Sequence, residues 1–159
     1  MRIVGIDPGI RVTGFGILEK NEKLSVLSYG TITPPVQNSM EEKLKYLYSD
    51  AMEIIDKYKP DLFAIESTFY QKNVKSALIL GQAKGSILLA AANSNIPCKE
   101  FAPRKVKLAV VGNGSATKEQ VQYMIQRILK LDTLPKPFDV SDALAIAYCG
   151  LTNMEYGND

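Results

Sequence analysis

Apolar positions in the first third of the chain recur at the period of strands. Ile3 to Ile6 is a short apolar run closed by Asp7-Pro8-Gly9, Val12 to Leu18 follows, and beyond the polar turn Lys20 to Lys23 a third run covers Leu24 to Thr33. Connections this short predict antiparallel neighbours. The period then changes. Ser39 with Glu42 three residues on is a capping box, and Leu44, Leu47, Tyr48, Ala51, Ile54, Ile55 and Tyr58 form a helical stripe that Pro60 ends. Leu62 to Ile65, closing at Glu66, predicts a buried strand, and a second helix is expected from about Val74 to Asn93, where Gly81 and Gly85 suggest close packing against a neighbour. Pro97 to Ala102 is a fifth strand.

Helix and loop follow. Pro103 to Val111 is helical, Gly112-Asn113-Gly114-Ser115 is a turn, and Thr117 with Gln120 caps a helix whose stripe is Val121, Met124, Ile125, Ile128 and Leu129. Pro135 and Pro137 punctuate a loop before a last helix, Asp139 to Leu151. The order predicts an α/β fold with a mixed five-stranded sheet flanked by helices, the fourth and fifth strands reached by crossovers. One domain over 1–151 and a short polar tail at 152–159 are expected; a chain of 159 residues buries roughly 68 to 70% of its unfolded surface, enough for a core.

Composition narrows the chemistry. The sequence contains no histidine, which removes Ser-His-Asp and Cys-His nucleophile pairs, histidine bases and HExxH zinc sites together. Cys98 and Cys149 form no CxxC, so they are expected as buried small hydrophobes in a reducing compartment. No signal peptide or membrane span is read from the pattern, and a soluble cytoplasmic protein is expected. The net charge of +2 conceals an asymmetry: residues 71–118 carry +7 and the remainder −5. A basic face for phosphates and an acidic site elsewhere would produce this pattern.

The acidic candidates stand at structurally related places. Asp7 closes the first strand, Glu66 closes the fourth, and Asp139 and Asp142 lie at i and i+3 on one helical face. Each has an ordinary explanation taken singly: a turn aspartate, a solvated rim residue, a helix cap and a first-turn acid. If the first and fourth strands are parallel neighbours, however, Asp7 and Glu66 share the edge where open α/β sheets bind ligands. Carboxylates gathered there repel one another unless a hard cation joins them, and oxygen-only ligands select Mg²⁺ or Mn²⁺. A pair of such ions supports in-line phosphodiester displacement without histidine.

These residues resemble the RuvC family of Holliday junction resolvases. The likeness rests on Ile6-Asp7-Pro8-Gly9 with Thr13-Gly14-Phe15-Gly16, on Ile65-Glu66, and on Lys75-Ser76-Ala77-Leu78 through Gly81-Gln82-Ala83-Lys84-Gly85. Val106-Lys107 through Gly112, Gly114-Ser115-Ala116 with Lys118, and Asp139 through Ala145 complete it. The resemblance implies a ribonuclease H-like fold, a homodimer, and a Mg²⁺-dependent endonuclease that nicks two strands of like polarity across a four-way DNA junction. It also implies RuvA and RuvB as branch-migration partners. By position it implies Asp7, Glu66, Asp139 and Asp142 as metal-binding acids, two ions per site with DNA bound, Lys107 and Lys118 as functional lysines, and Phe69 as an aromatic that stacks on an unpaired base. Lys118 would neutralise charge on the scissile phosphate and Lys107 would hold a flanking phosphate. Lys84, Arg104 and Lys105 join the expected DNA contacts.

Two other classes compete. Asp7-x-Gly9 leading to Thr13-Gly14 also resembles the phosphate loop of actin-like ATPases, which need a second domain that the length does not accommodate. A nucleic-acid binder or a nuclease for another branched or RNA substrate could keep the same fold; intact carboxylates argue against a purely binding role.

Overall fold

Side chains alternate between the two faces of a strand, and a computed structural model, which describes residues 1–67 and 73–156, shows helices on both faces of the sheet. Strands β1 (Arg2–Asp7), β2 (Thr13–Lys20) and β3 (Leu24–Ile32) precede helix α1 (Met40–Tyr58). Then come β4 (Leu62–Glu66), α2 (Val74–Asn93), β5 (Cys98–Phe101), α3 (Pro103–Val111), α4 (Lys118–Leu129) and α5 (Phe138–Tyr156). The strands form one mixed sheet in the order β3-β2-β1-β4-β5, with β1 antiparallel to β2 and parallel to β4. The expected architecture is therefore present, with β5 at the edge.

Each face has its own core. Ile3, Leu18, Leu62 and Ala64 pack with Val106 and Val110 of α3, Val121 and Ile125 of α4, and the alanine-rich α5. On the other face Val4, Ile6, Ile17, Phe63 and Ile65 meet Leu47, Ile54 and Ile55 of α1 and Ala83, Ile87 and Ala90 of α2. Both expected capping boxes form: Ser39 accepts from the Glu42 amide and Thr117 from the Gln120 amide, each returned by the Glu or Gln side chain.

The structure corrects several expectations. The last helix continues past Leu151 to Tyr156, because Met154 still packs against the core of this face; Thr152 Oγ1 donates to the Tyr148 carbonyl at 3.2 Å and Asn153 Nδ2 to that of Cys149 at 2.8 Å. A Cβ at Gly81 or Gly85 would meet nothing within 4 Å, so neither glycine seats a neighbour among the described residues. Cys98 is exposed and only Cys149 is buried. Among the described residues α2 alone is long and apolar enough to cross a membrane. Its inner residues Ala83, Ile87, Ala90 and Ala91 are buried, while Val74, Leu78 and Leu89 are exposed.

Candidate active site

The alternation that sorts the core also places two of the acids. Ile3 and Gly5 on β1, and Leu62 and Ala64 on β4, face α5, so Asp7 and Glu66, two residues further on, belong to that same face. Parallel pairing of Ile6 with Ile65 then brings the two carboxylates to one edge. The chain leaves β1 through a tight turn in which Thr13, fully buried, donates its hydroxyl to the Gly9 carbonyl at 2.7 Å and accepts from the Gly9 amide at 3.1 Å. That clasp turns the backbone straight back into β2.

The other two acids arrive on α5, and three glycines permit its approach. A Cβ at Gly5 would lie 2.0 Å from the Ala143 carbonyl oxygen, one at Gly14 1.9 Å from that of Asp139, and one at Gly16 2.6 Å from Leu144 Cδ2. Gly5 pairs with Gly16, and Asp7 with Gly14, across the β1–β2 ladder. The stripe is therefore a groove without side chains, and the first turn of α5 settles beside Asp7. Asp139 lies inside that turn, not ahead of it as a cap, one helical turn from Asp142 on the same face.

Asp7, Glu66 and Asp142 line a cavity of about 240 Å³ together with Pro103, Val106, Lys107, Lys118, Val121 and Ala145. Burial, followed by the charges of Asp142, Glu66 and Asp139, pushes the Asp7 carboxyl from the ordinary 3.8 up to about 8. Burial likewise raises Glu66, helped by Asp142 and opposed by Lys118 and Lys107. Asp142 is raised by burial and by Asp139, with Lys118 and Lys107 again opposing. Lys118 Nζ stands 3.9 Å from Asp142 Oδ2 and 5.9 Å from the centre of the Phe138 ring.

Such a donor set fits a hard divalent cation in its chemistry, since it offers oxygen ligands alone and a repulsion that positive charge relieves. It is not a finished cage: among the described residues no three acidic, cysteine or histidine side chains are grouped to hold an ion as they stand. Asp139 acts on Asp7 through its charge but does not line the cavity.

The expected basic residues separate by helix face. Lys107 faces the acidic cavity, whereas Lys105 lines a different groove with Leu108, Tyr148 and Asn153, its ammonium 5.7 Å from the Phe101 ring. Arg104 is exposed, and its side chain lies over Gly114, where a Cβ would come within 2.6 Å of Arg104 Cγ. Lys84, also expected to contact DNA, has its Nζ 2.6 Å from Glu100 Oε1, with side chains 14% and 45% exposed respectively. Phe69, with Tyr70 and Lys72, lies outside the described residues.

Sequence reasoning missed Phe138, against which Lys118 rests, and the glycine stripe under α5. Glycine at alternate positions 14 and 16 of a strand, together with Gly5, was the available signal, because strand interiors disfavour glycine unless another backbone comes close.

Comparison with known proteins identifies the family and the fold. A family model described as crossover junction endodeoxyribonuclease RuvC matches residues 3–150. The RuvC of Dehalococcoides mccartyi is 43% identical over 159 residues, covering 99% of this chain and 95% of the relative. That of Chlorobaculum parvum is 46% identical over 153 residues, covering 96% and 82%. The Thermus thermophilus RuvC structure superposes with a TM-score of 0.89 at 31% identity, covering 99% of this chain and 97% of that one. The same enzyme in complex with a Holliday junction substrate gives 0.91 at 28% identity over the same shares. Carboxylates at one edge of a ribonuclease H-like sheet, flanked by two lysines, thus occur in a chain that belongs to the RuvC family of crossover junction endodeoxyribonucleases.

Proposed function

We propose that this protein resolves four-way DNA junctions by paired symmetric nicks in homologous recombination and repair, using the cavity at the β1–β4 edge as its nuclease centre. The observation that carries this is the convergence of Asp7, Glu66 and Asp142 with Lys107 and Lys118 on one cavity, in a chain that superposes on a RuvC bound to its Holliday junction. The family is a divalent-metal-dependent nuclease family. Asp7, Glu66, Asp139 and Asp142 would hold Mg²⁺ here, with Mn²⁺ as substitute and two ions once DNA is bound. Bound ions supply a water nucleophile at neutral pH and stabilise charge on the leaving oxygen.

The protein's own groups do the rest. Lys107, projecting from α3 beside the acids, anchors a phosphate flanking the cut. Lys118, on a flexible stem with its side chain 65% exposed, reaches the scissile phosphate and offsets its developing charge. Apolar Val106, Val121 and Ala145 line the same cavity and lower the polarity around the acids, which strengthens those interactions. Arg104 and Lys105 hold the DNA backbone further out, and Phe69 stacks on a base at the junction centre. Of the expected contacts, Lys84 has the least support, being paired with Glu100.

A homodimer would mirror the near-two-fold symmetry of the junction, and the exposed apolar face of α2 is the surface best suited to build it. RuvA and RuvB would act as branch-migration partners in the cytoplasm. The activity would belong to one domain, expected over 1–151 and carried by α5 on to Tyr156. With Mg²⁺ the wild type converts a synthetic four-way junction to nicked duplexes, whereas Asp7→Asn shifts the junction on a native gel and leaves it uncut. An Asp7→Asn protein that cuts at the wild-type rate overturns the assignment of this cavity.

A further inference from the structure

Lys118 occupies an unfavourable place for a cation on its own helix. It is the first residue of α4, immediately after the Thr117 cap, where the positive end of the helix dipole repels an ammonium group. From that position its side chain reaches Asp142, 3.9 Å from Nζ, with which it forms an ion pair. The ring of Phe138, 5.9 Å away, flanks the ammonium on the α5 side.

The charges around it do not balance. Asp7 feels Asp142, Glu66 and Asp139 at once, and among the described residues Lys107 and Lys118 are the cations that line the cavity. The acids raise one another's pKa, and Lys118 opposes that repulsion at Asp7, Glu66 and Asp142, with Lys107 helping at the last two. Lys118 pairs directly with Asp142, and its charge also acts on Asp7 and Glu66. The Lys118 side chain is 65% exposed, against 23% for Asp142, and its four-carbon stem lets it withdraw into water while the acids stay.

We propose that Lys118 is the internal counter-ion of the acidic cavity in the absence of DNA, occupying by its charge the place a divalent cation takes and competing with that cation for Asp142. This rests on the metal-site assignment made above and adds a second task to a lysine proposed to act on the scissile phosphate. The entry of a divalent ion is then an exchange, one ammonium out and one metal ion in. Metal affinity in the DNA-free protein is accordingly held below what the carboxylates alone would give.

The test is direct titration of the DNA-free protein with Mn²⁺, followed by the loss of the free-ion electron paramagnetic resonance signal, so that activity plays no part in the readout. Lys118→Gln is expected to bind Mn²⁺ about tenfold more tightly than wild type, within the usual range for coupled ligands. Lys118→Arg, which keeps the charge, stays close to wild type, and so does Lys130→Gln, an exposed lysine at the far end of α4. Unchanged or weaker binding by Lys118→Gln overturns the counter-ion role, as does a gain of the same size from Lys130→Gln. Asp7→Asn should weaken binding. If it does not, the ion binds elsewhere and the metal-site assignment itself fails, an outcome visible in that variant whatever Lys118 does.

Discussion

At the scale of single residues, Asp7 links stability to chemistry. Its carboxyl in the folded chain titrates at about 8 against the ordinary 3.8, so the native state keeps a proton that the unfolded chain has lost. Stability is then fully present at acid pH and falls as pH rises from about 4 to about 8. In chelator-treated protein we expect wild-type melting temperatures to decline across that window. Asp7→Asn should flatten the decline and melt roughly 3 to 8 °C higher at pH 8, measured by circular dichroism. A wild type whose melting temperature rises over the window would contradict the shift. The lysines divide by direction. Lys107→Ala and Lys118→Ala should each slow junction cutting roughly a hundredfold, the usual loss for a group that stabilises developing charge. Lys105→Ala, in a separate groove, should weaken DNA binding and its salt dependence instead. Equal rate losses from all three, in single-turnover assays, would contradict this division.

At the scale of elements, the site depends on how closely α5 lies on the sheet. Gly14→Ala would set a Cβ 1.9 Å from the Asp139 carbonyl oxygen, forcing the first turn of α5 away from Asp7. The expected cost is about 1 to 3 kcal/mol of stability, by denaturant unfolding, with a loss of cutting larger than the unfolded fraction explains. A Gly14→Ala protein as active and stable as wild type would show that the contact does not position the acids. Strand and helix placement was legible in the sequence because period, caps and prolines are local signals. Asp7, Glu66 and Asp142 were legible too, since parallel pairing of the first and fourth strands was enough to put two of them at one edge. Other features depend on tertiary packing. Which side of α3 Lys105 takes depends on how that helix packs, and the Lys84–Glu100 pair requires knowing that Glu100 faces α2 from the edge strand. Nor does the polar composition after Leu151 announce that Met154 still packs on the core and carries the helix on.

At the scale of the molecule, a sequence close to neutral overall separates into a basic stretch and an acidic centre, +7 over residues 71–118 and −5 elsewhere. The fold brings two of those basic residues, Lys107 and Lys118, to the acids. Of the other described basic residues in that stretch, Arg104 and Lys105 lie on other surfaces and Lys84 pairs with Glu100. With no histidine in the chain, proton transfer falls to water, carboxylates and lysine, as expected of a nuclease that relies on hard cations. The most direct measurement is cleavage of a synthetic four-way junction in Mg²⁺, each strand end-labelled in turn and set against linear duplex and RNA–DNA hybrid of the same sequence. Two nicks at symmetric positions in strands of like polarity, with the linear substrates left intact, is the expected result; equal cutting of linear duplex or hybrid would contradict junction resolution.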